Sequence, residues 1–296
     1  MPALLLCVSS IDAAAQQFGG ARRVEEPMAY PYSAVGKWIS GGGGGRGLCT
    51  AFLVNGCTLV TASRCAQGGS GRYTFEASDG QRFRVRNIVY EPGRYAAAAG
   101  EAGDAAKKRT NKSKKTTHGV PGLDVAFGQI APKPGKPLPG DQYGRFGFDP
   151  QDRVTEVAGF TPHCSFGFSL NEEGKGGRGT LDPDVYVWGP LRRNAPGKAS
   201  SDELFLHMAN GVYGASGSPI YRCEPRFEDG KLVDVQVSAP ARLIGVFVRL
   251  TNDRDNLKFP DRLRVDPDDM ALGIGGQEFY PQLADYVREH PCEDLQ

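Results

Sequence analysis

The chain has 296 residues and nearly balanced charge, 35 Lys plus Arg against 34 Asp plus Glu, so it lacks the global field that would gather nucleic acid or an anionic membrane surface. Its 40 glycines and 21 prolines exclude an architecture of long helices and favour many short elements joined by turns. Beyond the N-terminus no apolar run approaches the roughly eighteen residues that span a bilayer.

Met1 to Ala15 run from a short apolar stretch (Leu4, Leu5, Leu6, Cys7, Val8) into Ala13, Ala14 and Ala15, small residues of the kind a signal peptidase accepts before Gln16. Residues 1–15 therefore read as an export signal and the protein as secreted or periplasmic, the alternative being a disordered N-terminus that stays attached. Arg22, Arg23 and Val24 are either a processing site or an exposed basic pair. With Cys7 removed, Cys49, Cys57, Cys65, Cys164, Cys223 and Cys292 remain, and an even number of cysteines in an exported chain reads as disulfides. No pair has the spacing of a zinc knuckle, and His118, His163, His207 and His290 lie scattered. Neither a metal nor a cofactor is expected.

From Ala34 onward the chain repeats one pattern, a run of β-branched and aromatic residues followed by a turn rich in Gly, Asn, Asp or Pro. Strands are expected at 34–40, 50–54, 58–62, 82–90, 123–130, 154–160, 184–188, 203–207, 218–221, 233–237 and 242–250. About eleven or twelve strands at that spacing mean a sandwich or barrels. Residues 96–117 interrupt them, first alanine-rich and then basic (Lys107, Lys108, Arg109, Lys112, Lys114, Lys115). They read as a flexible surface insertion, without the aromatic residues on which single-stranded nucleic acid stacks. Residues 131–140 alternate Pro, Lys and Gly and read as a linker between halves 16–135 and 136–296. Near the end Leu283, Tyr286 and Val287 fall at helical spacing, with Pro281 at the start and Pro291 past the end, so one short helix is expected over 280–290.

Three motifs carry chemistry. Cys49, Thr50, Ala51, Phe52, Leu53, Val54 and then Thr58, Leu59, Val60, Thr61, Ala62, Ser63, Arg64, Cys65 read as a hairpin flanked by cysteines. Leu123, Asp124, Val125, Ala126, Phe127 set an aspartate at the start of a strand, where on its own it would be a turn residue. Gly214, Ala215, Ser216, Gly217, Ser218, Pro219 set a serine between glycines. There the backbone N–H groups of Gly214 and Ser216 can converge on one point, as an oxyanion hole requires, although a Gly/Ser turn without chemistry fits the same residues.

In this order the motifs resemble the chymotrypsin family of serine proteases, including its bacterial trypsin-like branch. The resemblance extends to Pro31, Tyr32, Ser33, Ala34, Val35, Gly36 at the entry to the first barrel. It continues in Val157, Ala158, Gly159, Phe160 at the opening of the second, and in Leu243, Ile244, Gly245, Val246 beside the substrate. It implies an all-β fold of two six-stranded antiparallel β-barrels with a short C-terminal helix, and a bridge between Cys49 and Cys65. It implies Ser216 as nucleophile, Asp124 as the carboxylate that orients the base, Gly214 and Ser216 as oxyanion hole, Asn210 at the base of the specificity pocket, and peptide or protein as substrate or ligand.

The pattern breaks at Arg64, which occupies the histidine position. A guanidinium stays protonated and has no lone pair to take the serine proton, so pairing with Asp124 is the role expected of it. Ala215 stands where trypsin-like zymogens carry an aspartate. Neutral Asn210 gives no charge for an Arg or Lys preference, and Phe247, where glutamate-specific relatives carry histidine, removes support for a Glu preference. The reading is an exported protease homologue, impaired or inactive, that binds peptide or protein in the inter-barrel cleft. The alternatives are an active serine endopeptidase working through Ser216 and a purely structural β protein.

Overall fold

A computed structural model of the chain describes residues 22–24, 26–41, 47–67, 72–90, 124–150, 162–170, 176–192, 203–208, 215–228, 231–250 and 270–295. The expected export signal at 1–15, the insertion at 96–117, the strand at 154–160 and the residues Asn210 and Gly214 lie outside them.

Strands β2 (Val35–Gly41), β3 (Gly47–Leu53), β4 (Thr58–Ala62), β5 (Arg72–Glu76), β6 (Arg82–Tyr90) and β7 (Val125–Ile130) close into a barrel in the order β2-β3-β4-β7-β6-β5. Strand side chains alternate between faces, and here the two faces serve two cores. Ala51 and Leu53 of β3, Leu59 of β4 and Ala126 of β7 fill the barrel with Trp38, Phe75 and Phe83. Their neighbours Phe52, Val60, Val125 and Phe127 turn outward into a second core shared with Phe146, Phe166, Tyr221, Val246 and Phe279 from the C-terminal half. β4 and β7 are buried along their whole length for this reason. β6 runs along the solvent side, and its Arg82, Arg84 and Arg86 are exposed between buried Phe83 and Val85.

The C-terminal half contains β8 (Pro162–Leu170), β9 (Gly176–Arg192), β10 (Glu203–Met208), β11 (Pro219–Arg222), β14 (Leu243–Leu250) and β15 (Met270–Gly275), with β12 (Glu224–Glu228) and β13 (Lys231–Gln236) as a separate hairpin. Of the expected pair of six-stranded barrels, the first is a closed barrel of six strands. With β1 (Arg22–Arg23) at its edge, the C-terminal half is a seven-stranded antiparallel sheet ordered β1-β9-β10-β15-β14-β11-β8, with β8 also paired to β9. The additional strand, β1 (Arg22–Arg23), adds to the edge of β9. The expected linker at 131–140 ends in a short helix (Pro139–Tyr143) docked on the first barrel, where Gly140 N–H donates to Gly56 O at 2.8 Å and Tyr143 Oη donates to Asp79 Oδ2 at 2.8 Å. Burial, and then the Asp79 carboxylate, hold the Tyr143 phenol above its ordinary pKa and keep it a neutral donor.

The C-terminal helix spans Gly276–Glu289 and buries Phe279, Tyr280, Leu283 and Tyr286, one face at helical spacing. It starts a turn earlier than expected because Phe279 and Tyr280 extend the apolar face ahead of Pro281. Three anchors fasten it to the first barrel: Tyr286 Oη donates to Asn87 O at 2.6 Å, Gln129 Nε2 donates to His290 O at 2.6 Å, and Cys57 is bridged to Cys292. Cys164 and Cys223 form a further bridge between β8 and the end of β11. Among the described residues no helix is long and apolar enough to cross a membrane.

Phe127 is 1% exposed and lies against Phe279 and Tyr286, with ring centroids 6.4 and 5.5 Å away. Phe127→Ala is expected to lower unfolding free energy by about 3–5 kcal/mol. Chemical denaturation checks this, and a loss under about 1 kcal/mol would show that the barrel and helix do not share a core there.

Candidate active site

Arg64 sits on a single helical turn, Ser63–Gln67, that follows β4 directly. Five groups hold this turn in place. Trp38 Nε1 donates to Cys65 O at 2.9 Å inside the barrel, Tyr73 Oη donates to Ala66 O, and Ser63 N–H donates to Asp124 O at 3.2 Å. The Ser63 hydroxyl donates to Asp124 Oδ1, and Cys65 is bridged to Cys49 with Cα atoms 6.0 Å apart.

Ser216 lies in a turn ahead of β11. Ser218 N–H donates to Ala215 O at 2.9 Å, as does its hydroxyl at 2.6 Å, which closes the turn around the serine. Gly217 N–H donates to Phe247 O at 2.8 Å and Phe247 N–H returns to Ser218 O at 2.9 Å, tying the turn to β14. Gly217 has φ of +89°, and a Cβ there would lie 2.1 Å from Thr50 O and 2.3 Å from Thr61 Oγ1. Only glycine meets both demands, a left-handed backbone and the near contact of two chain segments.

The three motifs meet. The Arg64 guanidinium donates through Nη2 to Ser216 Oγ, and the preceding residue, Ser63, engages the Asp124 carboxylate. Asp124 is 4% exposed. The contact expected between Arg64 and Asp124 is replaced by this division of labour: the short Ser63 side chain reaches the buried carboxylate, and the long Arg64 side chain extends to the serine. Gln67 Nε2 backs Ser63 Oγ at 3.2 Å. Of the histidines, His163 is buried on β8, and His290 caps the C-terminal helix against the Tyr286 ring.

Sequence reading missed the residue that joins the parts. Thr50 is fully buried. Its N–H donates to Ser216 O at 2.8 Å, its carbonyl accepts from Thr61 Oγ1 at 2.6 Å, and its hydroxyl oxygen accepts from Phe168 N–H at 3.0 Å. The available signal was a hydroxyl in an otherwise apolar strand, since a buried polar group demands a partner. Thr50→Val removes the acceptor for Phe168 N–H and is expected to cost about 1–3 kcal/mol of stability. Denaturation together with amide exchange at Phe168 measures it, Thr50→Ser serving as the variant that keeps the acceptor. An unchanged Thr50→Val protein would show that this contact carries no weight.

The fold is shared with solved proteases. A Glu endopeptidase superposes with a TM-score of 0.54 at 13% sequence identity, over 92% of this chain and 97% of that one. A thermostable serine protease, AL20, from an extremophilic microorganism superposes with a TM-score of 0.50 at 14% identity, over 86% and 96%. No protein-family model and no curated protein matches the chain. What is common at these identities is the fold, and the chain is an all-β protein with a closed six-stranded barrel and the architecture of chymotrypsin-like serine proteases.

Proposed function

We propose that this chain is an exported serine-protease homologue that binds a peptide or protein segment in the cleft between two barrels, the second built from β8, β9, β10, β15, β14 and β11. Its own hydrolytic activity is impaired or absent. The observation that carries this is the contact of Arg64 with Ser216 Oγ. In a serine protease a neutral histidine takes the serine proton during attack and returns it to the leaving amine, while a carboxylate fixes its tautomer. A guanidinium donates only. Arg64 binds a lone pair of Oγ and leaves the serine O–H bond intact, so Ser216 stays a weak nucleophile. Three disulfides suit an oxidising compartment, and a cleft of this architecture suits an extended peptide.

The same reading takes Ser216 as the nucleophile's residue and Asp124 as the carboxylate. The Asp124 Oδ1 atom is taken by Ser63, and Oδ2 has no donor among the described residues. A histidine at position 64 would have that oxygen to turn toward. Gly214 as an oxyanion donor and Asn210 as pocket base belong to the same reading on their sequence positions.

The wild-type chain is expected to resist labelling by a fluorophosphonate probe and to leave casein intact. Arg64→His restores a group able to accept the proton and is expected to raise Ser216-dependent hydrolysis by about 100-fold or more. Adding Ser216→Ala abolishes the gain. Strong Ser216-dependent cleavage by the wild-type chain would overturn the impaired reading in favour of an active endopeptidase, whereas a folded but inert Arg64→His chain would leave a binding role alone.

A further inference from the structure

Strand β6 sets three arginines on one outer face of the first barrel. Phe83 and Val85 belong to the barrel core, so Arg82, Arg84 and Arg86 take the alternate positions and stand exposed, about 6.7 Å from one Cα to the next. β5 continues this face. Its Tyr73 and Phe75 are buried, which leaves Arg72, Thr74 and Glu76 on the outer side, and the antiparallel register places Glu76 opposite Arg82 and Thr74 opposite Arg84. Arg72 and Arg86 both lie beyond the pair of Thr74 and Arg84, on the side away from Glu76.

The acids of this face are engaged at one end. Glu76 Oε2 accepts from Arg82 Nε at 2.7 Å and Glu76 Oε1 from Lys37 Nζ at 3.1 Å. Asp79, in the turn between the two strands, accepts from Gln81 and from Tyr143 Oη. At the other end Arg72, Arg84 and Arg86 form no ion pair with any carboxylate among the described residues. Thr74 stands opposite Arg84, where a carboxylate would have continued the row that Glu76 begins.

We infer that this face docks an extended acidic segment of a partner protein, with carboxylates on alternate residues laid along β6. An extended chain repeats its same-side residues at the spacing of the arginines, about 6.7 Å, so Asp or Glu at every second position meets Arg84 and then Arg86, with Arg72 alongside. β6 is hydrogen-bonded to β5 on one side and β7 on the other within a closed barrel, so side chains hold the segment and no strand is added. Arginine at each of these positions suits a planar carboxylate, which its fork grips with two parallel hydrogen bonds. Phe83, the aromatic residue among the arginines, is buried and offers no face on which a nucleic-acid base could stack. The whole chain has a net charge of only +1. The attraction therefore belongs to this face and fades over the Debye length of about 8 Å, so contact and register select the partner. Binding here is independent of the cleft.

Fluorescence polarisation tests this with the full chain and a fluorescein-labelled dodecapeptide of alternating Glu and Thr, compared with its counterpart of alternating Gln and Thr at low ionic strength. The wild type is expected to bind the Glu peptide about 10-fold more tightly, the combined step of a few exposed ion pairs. Arg72→Gln/Arg84→Gln/Arg86→Gln is expected to bring the two peptides to within about 2-fold of each other. Arg145→Gln/Arg226→Gln/Arg288→Gln removes the same charge from exposed arginines elsewhere and is expected to keep the preference. Equal binding of the two peptides by the wild type would overturn the inference. So would an equal loss in both triple variants, which would make the effect one of net charge. Tighter binding of a sulfated oligosaccharide or an oligothymidylate of the same charge than of the Glu peptide would also overturn it, in favour of a polyanion other than a protein segment.

Discussion

The candidate site depends on one buried hydrogen bond, from Thr50 N–H to the Ser216 carbonyl at 2.8 Å. Thr50 belongs to the N-terminal barrel and Ser216 to a turn of the C-terminal half, so this bond sets how far the serine stands from the helical turn that carries Arg64. Thr50 makes the bond while its carbonyl is held by Thr61 and its hydroxyl accepts from Phe168 on β8. Three segments distant in sequence are therefore referred to one fully buried residue. Gly217 allows the approach, since any Cβ at that position would enter the space occupied by Thr50 O and Thr61 Oγ1. The position of the serine is thus a packing result, established before any catalytic group is considered.

The backbone of the site and the side chain at position 64 are supported separately. The turn that carries Arg64 is secured by Trp38, Tyr73, Ser63 and the Cys49–Cys65 bridge. Nothing in this support is specific to arginine: the groups hold backbone carbonyls, a hydroxyl and a neighbouring cysteine. A change of side chain at position 64 can therefore alter proton chemistry while leaving the architecture alone. Fold rests on the backbone here, and the proposed function on the atoms at the tip of one side chain.

Much of the N-terminal barrel was legible because its strands alternate strongly or are apolar throughout. The strands over 58–62 and 82–90 match β4 and β6 residue for residue. β5 (Arg72–Glu76) was not legible, having only Tyr73 and Phe75 to mark a buried face between charged ends. β9 runs from Gly176 to Arg192 although only 184–188 read as strand, because Pro183, Gly189 and Pro190 look like turn punctuation. β12 contains Pro225, which argued against a strand but is tolerated in a two-stranded hairpin. Of the site, the serine turn, Asp124 and Arg64 were visible as local motifs. Thr50, Thr61 and Ser63 were not, because their importance comes from partners far off in sequence, Phe168 and Ser216 for Thr50 and Asp124 for Ser63 among them. The bridge from Cys57 to Cys292, 235 residues apart, was hidden for the same reason.

Asp124 shows why Ser63 and Arg64 form a consistent pair. A carboxylate this deeply buried is costly unless hydrogen bonds satisfy it. In a complete triad the histidine supplies one of those bonds. Arg64 directs Nη2 to Ser216 instead, and the carboxylate is held from the adjacent position: the Ser63 hydroxyl donates to Oδ1 and the Ser63 backbone N–H to the Asp124 carbonyl. Alanine at 63 would leave the carboxylate dependent on position 64. With serine there, the side chain at 64 extends to Ser216 while the aspartate keeps a donor. The hydroxyl of Ser63 is thus the local condition under which a cation at position 64 can reach Ser216 rather than turn back to the buried acid.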